Sequence, residues 1–498
     1  MLWLCAASAV LEFFLYIPII WRAKRLLAPF ILIITTFGSA ALAIAYPSFF
    51  TAFLLCISLV RAFNMIRITQ GRIHDHYMRV VTRRTSFVLI IMQIVTSLLW
   101  ALWHYQHVPA AILWACVAGA QVLGASVLLA TTIRRLRRTA WRTTEHHYSD
   151  SELPTVTVAV PARNETEALQ QCLASVIASD YPKLEVIVLD DCSQTRRTPE
   201  IIREFAHDGV RFVPGNEPSD IWLPKNLAYD RLADEASGDY LLFCGVDITF
   251  EPGAIRAIIS DMLSRKKAML SLLPDRRQSA RRHFSPAQAI RYFWELVPPR
   301  RLFGKPPVLS SCWVITKAAL HHAGGFEAVR RAIVPEAYFA RQLSAHDEYS
   351  FMRAGSSLGI ISDKTTADQH ETAVRVRYPQ LHRRPESVFI IASVEITFLL
   401  LPFVVVVGGS RLGSSVIAVV LAAITSVLLV INNLLVVRAT NIGSTMTGLL
   451  SLPVIVIYDL IIMFYSMWRY EFLTVDWKGR NICVPAMHVI PQLPKINE

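Results

Sequence analysis

The sequence predicts an α/β domain set between two bundles of membrane-spanning helices, and three observations carry that expectation. Of the 498 residues 53% are hydrophobic, above a soluble globular average, and the excess is gathered into discrete runs. Between the runs, residues 150–330 alternate short apolar stretches with amphipathic ones, the texture of strands crossing over to helices. The basic residues behind the net charge of +12 cluster beside the runs.

The first cluster of runs covers 3–20, 29–45, 48–62, 86–103 and 109–131, and the second covers 388–408, 414–437 and 446–467. Each is close to the ~20 residues that cross a bilayer. A buried helix of a large soluble protein would explain one such run, but not two clusters of them. The expected divisions are an N-terminal bundle at 1–133, a cytoplasmic domain at 134–387, a C-terminal bundle at 388–468 and a tail at 469–498.

The first run is followed by Arg22, Lys24 and Arg25 and preceded by no basic residue, the reverse of a signal peptide, so it reads as an anchor with its N-terminus outside. Arg67, Arg72, Arg79, Arg83 and Arg84 then fall in an inner loop, "IRRLRR" follows the fifth run, and the outer loops carry no Lys or Arg. This places 134–387 in the cytoplasm of a multi-pass protein of the cell membrane. Three further crossings would leave Arg469, Lys478 and Arg480 outside, against the same rule, unless one run is re-entrant or interfacial. Anionic lipid, not nucleic acid, is the partner expected for the basic clusters. The eight cysteines include no C-x-x-C pair and read as reduced thiols.

Within the central segment "TVTVAVPARNE" (155–165) is a β-branched strand, "ALQQCLASVIAS" a helix, "LEVIVLDDCS" (184–193) a second strand and "TPEIIREFA" a helix. "VRFVPG" is a third strand, "KNLAYDRLADEAS" a helix, and "YLLFCGVD" (240–247) a fourth strand. Ligands of open α/β sheets bind beyond the carboxyl ends of the strands. Those ends carry Arg163, Asn164 and Glu165, then Asp190 and Asp191, then Asp247. One isolated Asp would be a helix cap or a loop acid, but three acidic clusters at one sheet edge point to a ligand. Neither G-x-G-x-x-G nor G-x-x-x-x-G-K-[ST] follows a strand. A carboxylate cluster facing a diphosphate calls for Mg²⁺ or Mn²⁺ between them, which predicts a metal-bound nucleotide diphosphate.

"VPARNE", "VLDDCS", "WLPKNLA", "LLFCGVD" and "GGFEAVRRAIVPEAYFAR", in this order and spacing, resemble the membrane-bound, inverting glycosyltransferases of family 2, and are most similar to those that glycosylate hopanoids, carotenoids and ceramide. The resemblance covers about 150–345 together with "WKGR" near the C-terminus. It implies a GT-A fold, Rossmann-like and nucleotide-sugar-binding, a UDP- or GDP-sugar donor and a lipid or polyprenyl-type acceptor. Position by position, it places Pro161, Arg163, Asn164 and Glu165 at the nucleotide base and ribose, and adds Asp190 and Asp191 there. Lys225 falls at the diphosphate, and Asp247 matches the last acid of the family's metal-binding D-x-D, whose first position is Gly245 here.

Inverting transfer needs a base to deprotonate the acceptor hydroxyl. The family's base follows a G-G-F turn, and the matching residue is Glu336, preceded by Pro335 instead of an acid; a helix-start glutamate stabilised by the macrodipole is the structural alternative. Asp347 is the second candidate. The Q/R-x-x-R-W motif of processive synthases is missing, which favours a single transfer over a polysaccharide synthase and translocator; a non-catalytic membrane protein is the third alternative. "VRVRYPQLHRRPE" occupies that region, and its Arg375 and Arg377 either rest on lipid or contact the leaving diphosphate or a phosphorylated acceptor. "AIRYFWELVPPRRLFGK" is either an interfacial helix at the acceptor entrance or a core helix.

Overall fold

β1 (Val156–Ala162) is built from residues whose side chains alternate between two apolar cores: Val156, Val158 and Val160 enter one, and Ala159 enters the other. The computed structural model describes residues 21–69, 76–105, 108–142, 148–219, 221–276, 284–298, 306–409 and 414–483; the apolar run at 3–20 lies outside them. β2 (Leu184–Asp190), β3 (Val210–Pro214) and β4 (Tyr240–Cys244) follow β1 as predicted. β5 (Ile248–Phe250), β6 (Met269–Leu273), β7 (Asp275–Arg276), β8 (Cys312–Thr316), β9 (Tyr349–Arg353) and β10 (Ile360–Ser362) complete the domain.

The main sheet has seven strands in the order β3-β2-β1-β4-β8-β6-β9. β3, β2, β1 and β4 are parallel, β8 is antiparallel to both β4 and β6, and β9 is parallel to β6. The chain moves outward from β1 to β3 and returns to the other side of β1 as β4. This creates a switch point, and with it a crevice, beyond the carboxyl ends of β1 and β4. The fourth strand differs from expectation in ending at Cys244. Gly245 donates to Ser311 O (2.9 Å), Ile248 N turns back to Gly245 O (3.1 Å), and the chain leaves to form the sheet β5-β10-β7. Asp247 therefore sits in a turn past the strand.

Among the described residues five helices are long and apolar enough to cross a membrane: Thr85–His104, Ala110–Thr139, Pro385–Gly408, Val416–Ala439 and Leu452–Phe472. Phe30–Ala45 and Phe49–Phe63 are shorter apolar helices. Arg353, at the end of β9, clamps the domain to two of the long helices. Its Nε donates to Thr139 Oγ1 (3.2 Å), Nη2 to Leu136 O (2.8 Å) and Nη1 to Ala439 O, so one guanidinium serves two helix C-termini.

The Leu452–Phe472 helix has two distinct faces. Ile455, Asp459, Ile462, Met463, Ser466 and Tyr470 are buried. Contacts along that face reach the Pro286–Leu296 and Thr366–Gln380 helices: Asp459 accepts from Trp294 Nε1 (2.7 Å), and Ser466 Oγ donates to Val374 O (2.5 Å). Val454, Ile457, Ile461, Phe464, Trp468 and Phe472 form the exposed apolar stripe. The chain beyond it makes a hairpin of β11 (Asp476–Trp477) and β12 (Arg480–Asn481) that docks on the ends of β1 and β2, so this part of the tail lies on the domain's own side. Lys478 (φ 47°) and Gly479 (φ 79°) supply the two positive φ values of its two-residue turn.

Replacing Arg353 by Leu orphans the carbonyls it serves and is expected to destabilise the fold by about 2 kcal/mol. Thermal unfolding in detergent checks this, with Arg197→Leu, an exposed arginine, expected to leave the midpoint nearly unchanged.

Candidate active site

Beyond the switch point lies a cavity of about 370 Å³. The sheet edge contributes Pro161, Glu165 and Asp247; Lys225 and Tyr229 enter from the Pro224–Glu235 helix. Arg291 and Trp294 come from the Pro286–Leu296 helix, Arg375 and Arg377 from the Thr366–Gln380 helix, and Lys364 from the loop after β10. Asp459 and Ile462 of the Leu452–Phe472 helix close the apolar side, and Trp477 and Lys478 of the hairpin cover the sheet side. One space thus touches both the strand ends and a helix of membrane character.

Asp247 accepts from Ser362 Oγ (2.9 Å) through Oδ2, and its backbone carbonyl accepts from Asp363 N (2.9 Å). Its other oxygen, Oδ1, lies 2.6 Å from where a Cβ on Gly245 would stand, so glycine accommodates this carboxylate in its present position, and a side chain there would make Asp247 shift. Among the described residues, no group of three or more His, Cys, Asp or Glu side chains could hold a metal ion. A divalent cation here would have Asp247 as its protein ligand and would draw its remaining ligands from a diphosphate and water.

Lys225, Arg291, Lys364 and Arg375 line the cavity with this carboxylate. Burial, together with Arg375 and Arg291, lowers the affinity of Lys225 for its proton, opposed by Glu336 and Asp247. Lys364 is pulled down to about 8, chiefly by burial, with Asp247 opposing and Arg375 and Arg291 adding to the shift. Burial also lowers Arg375, whose guanidinium lies 5.6 Å from the Trp477 ring centroid.

Of the residues expected from the sequence, Pro161, Glu165, Lys225, Asp247, Arg375 and Arg377 line this cavity, and Arg163, Asn164, Asp190, Asp191, Glu336 and Asp347 do not. Arg163 staples the strand ends, donating to Asp191 O (2.5 Å), Cys192 O (2.7 Å) and Lys478 O (3.0 Å). Asn164 Oδ1 accepts from Gln194 N (2.8 Å), and Asp190 accepts from Ser193 N (3.2 Å), so both shape the loop after β2. The hairpin engages two of the expected acids: Lys478 pairs with Glu165, and Arg480 with Asp191 (2.7 Å) and Glu217 (2.8 Å). Burial raises both Glu165 and Asp191, against the pull of these cations.

Glu336 opens the Glu336–Ala345 helix, fully buried, with no hydrogen-bond partner on either carboxylate oxygen. It lies within electrostatic reach of Lys225 and Tyr229, which do line the cavity. Asp347 is not brought to the site: its side chain is 97% exposed and paired with Lys267 (3.1 Å) on the far side of the "HDEYSFMR" strand start. Arg291 and Lys364 were missed by sequence reasoning. The one signal for Arg291 was a charge among the apolar residues of "AIRYFWEL"; Lys364 stands in an unremarkable polar loop.

The mixed sheet and the crevice at its switch point define a Rossmann-like, GT-A type nucleotide-sugar domain flanked by apolar helices. Comparison with known proteins makes the assignment specific. Residues 157–324 match the family model "Glycosyl transferase family 2", and the chain carries a glycosyltransferase family 2 domain. The chain is similar to the probable glycosyltransferase YdaM of Bacillus subtilis (strain 168), at 32% identity over 121 residues, 24% of this chain and 28% of that protein. It is also similar to the glycosyltransferase AglE of Haloferax volcanii, at 36% identity over 101 residues, 20% of this chain and 32% of that protein. The matched segment thus spans about a third of these relatives or less. Among solved structures, the mannosyltransferase PcManGT from Pyrobaculum calidifontis, in complex with GDP-Man and Mn²⁺, aligns with 72% of this chain and 98% of its own at 16% identity and a TM-score of 0.44.

Replacing Arg480 by Gln leaves Asp191 buried and unpaired, which is expected to weaken hairpin docking by about 3 kcal/mol. Limited proteolysis should then cut near 474–483, whereas Glu217→Gln, at an exposed carboxylate, should leave the hairpin protected.

Proposed function

We propose that the protein is an inverting glycosyltransferase that moves one sugar from a nucleotide-diphosphate donor to a lipid or polyprenyl-type acceptor entering from the bilayer. The observation that carries this is the single cavity joining the strand ends of a family 2 domain to the Leu452–Phe472 helix. The nucleoside would lie at the edge formed by Pro161, Arg163, Asn164, Glu165, Asp190 and Asp191, beneath the hairpin. The diphosphate would face Lys225 and Arg375, and any Mg²⁺ or Mn²⁺ would be held between it and Asp247. Glu336 is the proposed base, from its place after the G-G-F turn and its unpartnered carboxylate beside Lys225. The distribution of Lys and Arg supports a cytoplasmic domain with its helices in the cell membrane.

Release of nucleoside diphosphate from UDP-, GDP- and TDP-sugars by the full chain in native lipid extract tests this. One donor should turn over, at least ~100-fold more slowly in both Asp247→Asn and Glu336→Gln. Consumption of no donor would sink the proposal, and an unaffected Glu336→Gln would remove that residue as the base. A product carrying one added sugar is expected; a polymer would mean a synthase.

A further inference from the structure

The anion-binding wall of the cavity is stronger than its metal-binding wall, and this deepens the glycosyltransferase reading on which it rests. We propose that Lys225, Arg291, Lys364 and Arg375 carry the charge of the departing nucleoside diphosphate, and that transfer proceeds without a divalent cation.

These four cations come from three helices and a loop, yet they converge on one cavity. No ion pair joins any of them to a carboxylate among the described residues, although Arg377, Lys478 and Arg480 nearby are all paired. Lys364 Nζ donates only to a hydroxyl, Thr372 Oγ1 (2.6 Å), and Lys225 lies over the Tyr229 ring at 5.0 Å. Arg375 and Arg291 act as like charges on both Lys225 and Lys364, and Arg291 does so on Arg375. Half-buried cations gathered on one cavity without an ion-paired carboxylate repel one another, so the wall is built for an anion. Two guanidinium groups suit phosphoryl oxygens through paired hydrogen bonds.

In the transfer the acceptor oxygen bonds to the anomeric carbon and the bond from that carbon to the donor phosphate oxygen breaks. The electron pair leaves with the diphosphate, which gains one negative charge, and the acceptor proton goes to the base. That new charge needs a partner. Asp247 shares the lining with Glu165 and Asp459, already paired with Lys478 and Arg377, and with Glu295, Asp363, Asp368 and Glu371, but among the described residues no three acids gather where a cation could be held. A dication at Asp247 would also stand close to the like charges of Lys225 and Lys364. The donor set therefore fits a resident divalent ion poorly and a diphosphate well, with Asp247 and Ser362 left to orient the sugar or the cationic side chains.

The test is calorimetric titration of UDP, GDP and TDP into the full chain in lipid nanodiscs, in EDTA and again in Mn²⁺. One nucleotide should bind in EDTA within about threefold of its affinity in Mn²⁺, and Arg291→Gln with Lys364→Gln should weaken it by about 30-fold or more. The charge-conserving pair Arg291→Lys and Lys364→Arg should retain most of the affinity, which separates lost charge from misfolding. Binding that appears only with Mn²⁺, or that ignores the double Gln variant, overturns the proposal while leaving the glycosyltransferase reading intact. If no nucleotide binds in either condition, that reading falls and takes this one with it.

Discussion

Arg377 is held between Glu395 (3.2 Å) and Asp459 (2.6 Å), both fully buried, and the rest of the site is built around that junction. Trp294 joins it by donating to Asp459 (2.7 Å) and by lying under the guanidinium at 5.3 Å. Four helices thereby meet at one charged point: Pro286–Leu296, Thr366–Gln380, Pro385–Gly408 and Leu452–Phe472. Removing one member would strand buried charge, so the arrangement has few low-energy alternatives. The Pro385–Gly408 helix accommodates Glu395 at the start of a π-helical turn, Glu395–Leu400, which redirects its side chains relative to a regular helix.

That junction has two consequences for chemistry. It lays the Leu452–Phe472 helix along the domain, which closes the apolar side of the cavity with Asp459 and Ile462 and delivers the hairpin to the sheet edge. It also fixes the Thr366–Gln380 helix, so Arg375, two residues from Arg377 and about 200° around the helix, is aimed at another wall, near Trp477. Arg353 does the same work at the far end of the domain, where it joins β9 to the Ala110–Thr139 and Val416–Ala439 helices. The strand ends and the apolar helices are therefore held in one frame, as transfer to a bilayer-borne acceptor would require.

Much of the fold was legible because its signals are local. β1 and β2 announce themselves by β-branched runs and β4 by an apolar one, broken at Pro, Asp and Gly, and the rule that ligands sit beyond strand ends led directly to Glu165 and Asp247. Lys225 came from the resemblance of "WLPKNLA" to a known motif. The wall opposite the sheet was less legible. Arg291 and Lys364 meet Lys225 only through tertiary packing, and a single charge on an apolar helix or in a loop carries no pattern. The last apolar run folds as a helix long and apolar enough to cross a membrane, and because hydropathy averages over both faces of a helix, only its packing shows one face committed to the domain. Lys478 and Arg480 were visible as charges on the wrong side of a membrane; their partners, Glu165 and Asp191, lie about 300 residues earlier in the chain. Asp347 attracted notice through its neighbours in sequence, and folding leaves it on the surface.

The most direct test of this account is a cryo-electron microscopy structure of the full chain in lipid nanodiscs with the nucleoside diphosphate it binds. The account predicts the nucleoside at the β1 and β2 edge under the hairpin and the diphosphate among Lys225, Arg291, Lys364 and Arg375. Nucleotide density elsewhere on the molecule, or a cavity filled by lipid with the nucleotide excluded, would contradict it.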